Sequence, residues 1–273
     1  MSNDAKIVMG EAGPAGKSKK GFPLISIGLV VLDGSGHVRA ALDSVIGQSY
    51  RNIELIVVDG GSTDGTLEIL DEYREHIAIL VSEPDKGIYD AMNKACTLAT
   101  GDWLLFLGCD DELLDTLGDM AMMMEDRDAV YYGDVIFRST GKIYGGKSSK
   151  LRVMEYNICH QSLLYPKTVY QRYAYDLKYQ WYADYLYNLT LMGCGIRFVY
   201  TGVVVSIFND KGRSLVGDAD FQRDQLKLIA STLGPAYAWL EHARKIARAG
   251  LKRLIPSQVW EYCRSLYSSR KGH

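Results

Sequence analysis

An α/β fold, a mostly parallel central sheet flanked by helices, is predicted by three observations. Short apolar runs rich in β-branched residues recur from Pro23 onward, each too short for a globular helix. Segments with apolar residues at helical spacing separate them. Each run ends in a polar, glycine-containing loop. Strands alternating with single helices need right-handed crossovers, so the loops after the strands gather on one edge of the sheet. Ligands of open α/β sheets bind at that edge.

The elements follow in order. Pro23 to Leu32 is a buried strand, and Asp33 to Gly36 a turn. His37 to Gln48 carries Val38, Ala41, Leu42 and Val45 at helical spacing. Ile53 to Val58 is a second strand, ending in Asp59, Gly60, Gly61 and Ser62, with Asp64 as the expected N-cap of the next helix. Ile77 to Val81 is a third strand, Ser82 to Gly87 a loop and Ile88 to Ala99 a helix. Trp103 to Leu107 is the fourth strand. Then the pattern becomes mixed: a Met-rich helix over Leu113 to Met124, strands at Ala129 to Phe137 and Lys142 to Gly146, and a strand at Cys159 to Tyr165 closed by Pro166. A helix at Tyr182 to Met192 precedes a strand region at Ile196 to Phe208, interrupted by Gly202. Helices are expected at Asp218 to Leu233, Tyr237 to Leu254 and Ser257 to Tyr267.

A chain of 273 residues with 47% hydrophobic residues supports a real core. The net charge of -2 gives no argument for nucleic acid as a partner. Five cysteines without a C-x-x-C pair fit a reducing compartment and no zinc site. Leu24 to Leu32 is far too short to span a membrane, and Met1 to Lys20 lacks the apolar centre of a signal peptide. From His242 onward eight Lys or Arg face one acid, and between Trp239 and Tyr267 two tryptophans and several aliphatics interleave with them. That suits an anionic membrane surface, or equally a packed helical extension with a solvated basic face. The expected organisation is a flexible tail over 1–21, the α/β domain over 22–216 and a basic amphipathic helical extension over 217–273.

The strand at Trp103 to Leu107 carries the chemistry at its tip, where Gly108, Cys109, Asp110, Asp111 and Glu112 follow. Adjacent carboxylates at a sheet mouth repel unless a cation sits between them, and oxygen ligands suit Mg²⁺ or Mn²⁺. The alternative is that Asp110 or Asp111 caps the following helix.

VVDGGSTDGT (Val57 to Thr66), SEPDKGIYDAMNKA (Ser82 to Ala95), Cys109-Asp110-Asp111, CHQSLLYP (Cys159 to Pro166) and YADY (Tyr182 to Tyr185) occur in a jointly specific order. Over about Pro23 to Phe208 the chain thereby resembles the inverting family 2 glycosyltransferases, in particular the branch that builds bacterial exopolysaccharide, colanic-acid or O-antigen repeat units. The resemblance implies a GT-A (Rossmann-like) fold and a nucleotide-diphosphate sugar donor. It implies that Asp59 and the loop from Gly60 lie against the nucleoside, and that Asp85, Lys86 and Asp90 line the donor site. Asp110 and Asp111 would hold Mg²⁺ or Mn²⁺, His160 and Gln161 would sit beside the donor sugar or acceptor, and Asp184 matches the catalytic base. The implied acceptor is a glycan on a polyprenyl diphosphate carrier, at the cytoplasmic, inner face of the cell membrane. A positioned carboxylate can deprotonate the incoming hydroxyl, and a metal can neutralise the diphosphate leaving group.

Asp59 could instead satisfy its own turn, Lys86 be a solvated lysine, His160 a half-buried histidine, Asp90 a first-turn helix carboxylate and Asp184 the cap of the helix beside it. The chain departs from the family pattern at Val30, Leu32 and Asp33, and at Gly60 and Gly108, each of which replaces an acid. Those losses motivate a non-catalytic nucleotide-sugar-binding or scaffold subunit as the rival reading. A nucleotidyltransferase ranks last, because Asp33 to Gly36 lacks a basic cluster.

Overall fold

The computed structural model describes residues 6–9, 22–212 and 217–254, with the backbone alone at 6–9 and 251–254. Its first half runs β1 (Lys6–Met9), β2 (Ile25–Val31), α1 (Val38–Ile46), β3 (Ile53–Asp59), α2 (Thr66–Glu72), β4 (Ile79–Ser82), α3 (Ile88–Leu98) and β5 (Trp103–Gly108). β4, β3, β2 and β5 lie side by side in that order and all run parallel. Every residue of β2 and β5 is buried, which is why both read as unbroken apolar runs. The pleat sends alternate side chains to opposite faces. Leu104 and Phe106 therefore join the core under α3, while Leu105 and Leu107 join the core under α1.

The second half adds β6 (Glu112–Leu113), α4 (Leu117–Met123), β7 (Val130–Phe137), β8 (Ile143–Tyr144), α5 (Lys150–Val153), β9 (Leu163–Pro166), α6 (Lys167–Tyr170), α7 (Ala183–Gly193), β10 (Phe198–Phe208), α8 (Ala219–Thr232) and α9 (Pro235–Leu254). β9 pairs antiparallel with both β5 and β7, and β10 runs parallel to β7. The full order is β1-β4-β3-β2-β5-β9-β7-β10-β6, with β8 against β7.

The chain departs from its sequence expectations where distant partners intervene. The helix expected from Leu113 begins at Leu117, because Glu112 and Leu113 first pair with Ile207 and Ser206 of β10. Neither Asp110 nor Asp111 is a helix cap; Thr116 holds that position. Gly65, with φ of 95°, is the N-cap of α2 in place of Asp64. Asp64, one residue earlier, still supplies the capping bond, its Oδ1 accepting from the Thr66 amide at 3.1 Å, while its Oδ2 accepts from the Ser35 amide at 2.9 Å and ties two loops together. The strand expected at Cys159 to Tyr165 is confined to β9, since His160–Ser162 forms a single 3-10 turn. Gly202, with φ of 74°, lies where β10 slips register against β7. Within the expected N-terminal tail, β1 pairs antiparallel with β4. The helix expected at Ser257 to Tyr267 lies outside the described residues. Arg244 and Arg248 of α9 turn toward the domain and pair with Glu155, with the Arg248 side chain still half exposed.

Candidate functional site

The loops after β3, β4 and β5 share the C-terminal edge of the parallel strands. Asp59 ends β3 and is fully buried. Its Oδ2 accepts from the amides of Gly61 and Ser62, both at 3.1 Å, and from Ser82 Oγ at 2.6 Å. Its Oδ1 accepts from the Ser62 hydroxyl. Both oxygens are thus committed to the turn, and Asp59 acts on the crevice through the loop it shapes.

Gly60 has a different use. A Cβ there would lie 2.5 Å from Asp85 Oδ2 and 3.4 Å from Leu32 Cδ1. The missing side chain lets a carboxylate and a half-exposed apolar group converge on one point of the edge. Asp85 Oδ1 is fixed by the Gly87 amide at 2.8 Å. Lys86 is exposed, and its amide donates to Asp90 Oδ2 at 3.2 Å. Asp90 also pairs with Lys94 at 3.4 Å, one turn along α3. Asp90 is therefore engaged as a first-turn carboxylate. Gly60→Asp, which restores the acid common in the resembling family, sets a second carboxylate against Asp85. We expect the donor KM to rise roughly tenfold with kcat little changed; an unaltered KM in steady-state kinetics would mean that Asp85 lies clear of the donor.

The tip of β5 separates the two neighbouring carboxylates. Asp111 is only 2% exposed. Its Oδ2 accepts from Gln161 Nε2 at 2.7 Å and its Oδ1 from the Asn209 amide at 2.7 Å. Burial pushes its carboxyl up to about 6, opposed by the Asn209 amide and assisted by the charge of Asp110. Asp110 is half-buried; its Oδ2 accepts from Asn209 Nδ2 at 2.8 Å, and its Oδ1 accepts no hydrogen bond among the described residues. One asparagine at the end of β10 thus spans both acids.

The 3-10 turn before β9 links this tip to α7. Gln161 holds Asp111, and the adjacent His160 places Nδ1 3.5 Å from Asp184 Oδ2. Asp184 sits in the first turn of α7, 7% exposed. Its Oδ1 accepts from Tyr89 Oη at 2.9 Å and the Tyr185 amide at 2.8 Å; its Oδ2 accepts from Asn157 Nδ2 at 2.8 Å. Burial and the Asp184 charge hold the Tyr89 phenol well above its ordinary value, so it stays a donor to that carboxylate. Asn157 is itself fixed: Asn188 Nδ2 donates to its Oδ1 at 2.9 Å, and Tyr165 Oη donates to Asn188 Oδ1 at 2.9 Å. Asn188 is fully buried one turn beyond Asp184, where an unpaired amide would be costly.

The model of the family described as Glycosyl transferase family 2 matches residues 26–187. The chain belongs to glycosyltransferase family 2. Among its family 2 relatives is a PGL/p-HBAD biosynthesis glycosyltransferase of Mycobacterium bovis (BCG), 38% identical over 200 residues that cover 70% of this chain and 78% of the relative. A PGL/p-HBAD biosynthesis glycosyltransferase of Mycobacterium tuberculosis (H37Rv) matches to the same extent, 38% over 200 residues. Solved structures share the fold. Staphylococcus aureus TarS 1-349, in complex with UDP-GlcNAc, superposes with a TM-score of 0.63 at 18% identity, over 78% of this chain and 69% of that one. The mannosyltransferase PcManGT of Pyrobaculum calidifontis, in complex with GDP-Man and Mn²⁺, gives 0.60 at 17% identity, over 90% and 81%. The α/β architecture is thus that of the GT-A glycosyltransferases, and this family 2 enzyme is a glycosyltransferase.

Of the residues singled out by sequence, the structure joins Asp110, Asp111, Gln161, His160 and Asp184 into one chain of contacts. Gly60 and Asp85 meet at the edge, Asp59 and Asp90 are engaged locally, and Lys86 projects without an ion pair among the described residues. Sequence reading passed over Tyr89, Asn157, Asn188 and Asn209. Tyr89 lies inside the motif Ser82 to Ala95, next to Asp90, and could have been found there. The asparagines carry no local signal. We expect Asn157→Ala to lower kcat about tenfold with the donor KM unchanged, since it frees one oxygen of Asp184 and leaves Asn188 without its acceptor. A change confined to KM would place Asn157 in donor binding instead.

Proposed function

We propose that this glycosyltransferase moves a sugar from a nucleotide-diphosphate sugar to an acceptor hydroxyl with inversion, using Asp184 as base and a divalent metal at Asp110. The transferase unit is residues 22–216 and the helical extension residues 217–273. The reading is carried by the 3-10 turn His160–Ser162, whose consecutive side chains reach the β5 tip and Asp184. Donor phosphates at the first and an acceptor hydroxyl at the second would lie on opposite sides of the sugar. A carboxylate held by Tyr89, Tyr185 and Asn157 is fixed in orientation and stays able to take a proton. Attack from the side opposite the leaving group inverts the anomeric centre without a covalent intermediate. A binding or scaffold subunit has no use for a carboxylate oriented in this way.

The donor set fits Mg²⁺ or Mn²⁺. Asp110 Oδ1 is a hard oxygen with no internal partner among the described residues. Among those residues no three His, Cys, Asp or Glu side chains converge into a cage. Mg²⁺ is usually held in this way, by one or two carboxylates together with substrate phosphates. Bound there, the ion would offset the charge that develops on the departing diphosphate. Asp111 and Asn209 keep Asp110 in place, Leu32 offers an apolar face toward the nucleoside, and Asp85 a carboxylate beside it.

The mycobacterial PGL/p-HBAD biosynthesis relatives, the nucleotide-sugar complexes of the structural neighbours and the basic C-terminal residues support the finer reading: bacterial polysaccharide assembly, with a glycan or polyprenyl-diphosphate-linked acceptor at the inner face of the cell membrane. No described helix is long and apolar enough to cross a membrane. The test is to incubate the protein with a panel of nucleotide sugars and Mn²⁺, with and without EDTA, and follow release of nucleoside diphosphate. Metal-dependent turnover of one donor is expected. Donors that bind in a thermal-shift assay yet never turn over, even with lipid-linked acceptors present, would favour the binding-subunit reading.

A further inference from the structure

α9 packs Tyr237 and Ala238 on the domain core, yet much of its remaining inward face is polar and a second apolar strip is left outside. An ordinary surface helix buries its apolar stripe and leaves its charges in water. Here Glu241 is 3% exposed, Arg244 and Arg248 pair with Glu155, and Lys245 Nζ donates to Gln225 Oε1 at 2.6 Å. The opposite face carries Trp239 at 72% exposure and Ile246 at 60%, with Leu240 at its margin. Trp239, Ala243, Ile246 and Gly250 follow the i, i+4, i+7, i+11 rule and form one strip. The polar contacts that fix the helix to α8 and to Glu155 leave this strip pointing away from the domain.

The geometry points to an anionic lipid surface as the occupant of this strip, with Trp239 and Ile246 entering the headgroup boundary. The inference deepens the membrane-surface reading above and rests on it. Charge selects the partner. Residues Pro235–Leu254 hold five Lys or Arg against Glu241, and 235–273 hold eight against two acids, in a chain whose total is -2. Even with Glu155 set against Arg244 and Arg248, the helix keeps a net positive charge, which a second copy of the same helix would repel and an anionic bilayer attracts. Tryptophan suits the boundary between headgroup and acyl chain, with one end apolar and the other wet. The position also serves the chemistry. Glu155, which anchors α9, lies two residues before Asn157, which holds Asp184. The segment that anchors α9 is thus the segment that supports the base.

The experiment is flotation of the full chain with phosphatidylcholine vesicles, with and without phosphatidylglycerol, at low and high salt. The wild-type protein is expected to float with the anionic vesicles and to be released by salt. W239S/I246S is expected to lose roughly tenfold or more of its partition. It should hydrolyse a water-soluble donor at the wild-type rate, because neither residue belongs to the catalytic contacts. Wild-type protein that stays unbound, or a double variant that floats as well as wild type, overturns the inference. So does a wild-type dimer in sedimentation equilibrium that the variant converts to monomer, which assigns the strip to a second copy. A large fall in the Tm of the variant also overturns it, because the strip is then covered by the chain's own residues. If flotation behaves as expected but no donor turns over, the transferase reading fails and the lipid contact stands.

Discussion

Asp184→Asn is expected to lower transfer by about 10²–10⁴-fold, the usual contribution of a positioned base, with the donor KM within about twofold of wild type. The carboxylate takes bonds on both oxygens: Tyr89 and Tyr185 on Oδ1, Asn157 on Oδ2. An amide has a single acceptor oxygen. If that oxygen keeps Tyr89 and Tyr185, its NH₂ faces the NH₂ of Asn157. Asn157 can turn over only by giving up its acceptor role toward Asn188 and the Ile158 amide. The substitution therefore carries a structural cost of about 1–3 kcal/mol in addition to the lost base. The two effects separate in measurement. A Tm fall of a few degrees reports the first; the turnover number of the folded fraction reports the second. Retention of more than about a tenth of wild-type turnover would put the base elsewhere. Asp184→Glu is the companion variant: it keeps a carboxylate but displaces it, and should retain more activity than Asp184→Asn if proton transfer is the role.

Why this arrangement was only partly legible in the sequence follows from where each signal resides. β2, β3 and β5 could be read directly, because strands covered on both faces are unbroken apolar runs and glycine-rich loops end them. α1 and α3 showed their buried stripes at helical spacing. Parallel order then placed Asp59, Asp85 and Asp110 on one edge by topology alone. The second half was harder. The start of α4 and the short β6 are set by pairing with β10, almost a hundred residues later. Asn209, Asn157 and Asn188 matter because of what they touch across 98, 27 and 31 residues of sequence, and an isolated asparagine has no period or motif to announce that. α9 is the sharpest case. Its amphipathic pattern is visible in the sequence, yet which face turns inward is decided by Glu155, 89 residues before Arg244.

The adjacent carboxylates of β5 make the second large prediction, because sequence treats them alike and the structure does not. Asp110→Ala should abolish metal-dependent donor turnover, a loss on the order of 10²–10³-fold for removal of one group that stabilises developing charge. It should leave the Tm nearly unchanged, since Asp110 is half-buried and its Oδ1 has no internal partner among the described residues. Asp111→Ala should do the reverse first. It strands two buried donors, Gln161 Nε2 and the Asn209 amide, at about 1–3 kcal/mol each, and opens a small void beside Gly108. A total of about 3 kcal/mol or more in a protein of this size lowers the Tm by roughly 6–12 °C. Activity then falls as a consequence, because Asn209 no longer steadies Asp110 and the His160–Ser162 turn loosens. Asp111→Asn discriminates further. Its oxygen can take the Asn209 amide and its NH₂ can face Gln161 if that side chain turns its amide over, while the charge that burial penalises is gone. Its Tm should stay near that of wild type, with metal-dependent turnover retained in part. Two outcomes would reverse the assignment: full metal dependence in Asp110→Ala, or unaltered stability in Asp111→Ala with complete loss of Mn²⁺ response. Either would make Asp111 the ligand and Asp110 the support, and would require the loop after β5 to rearrange when donor binds.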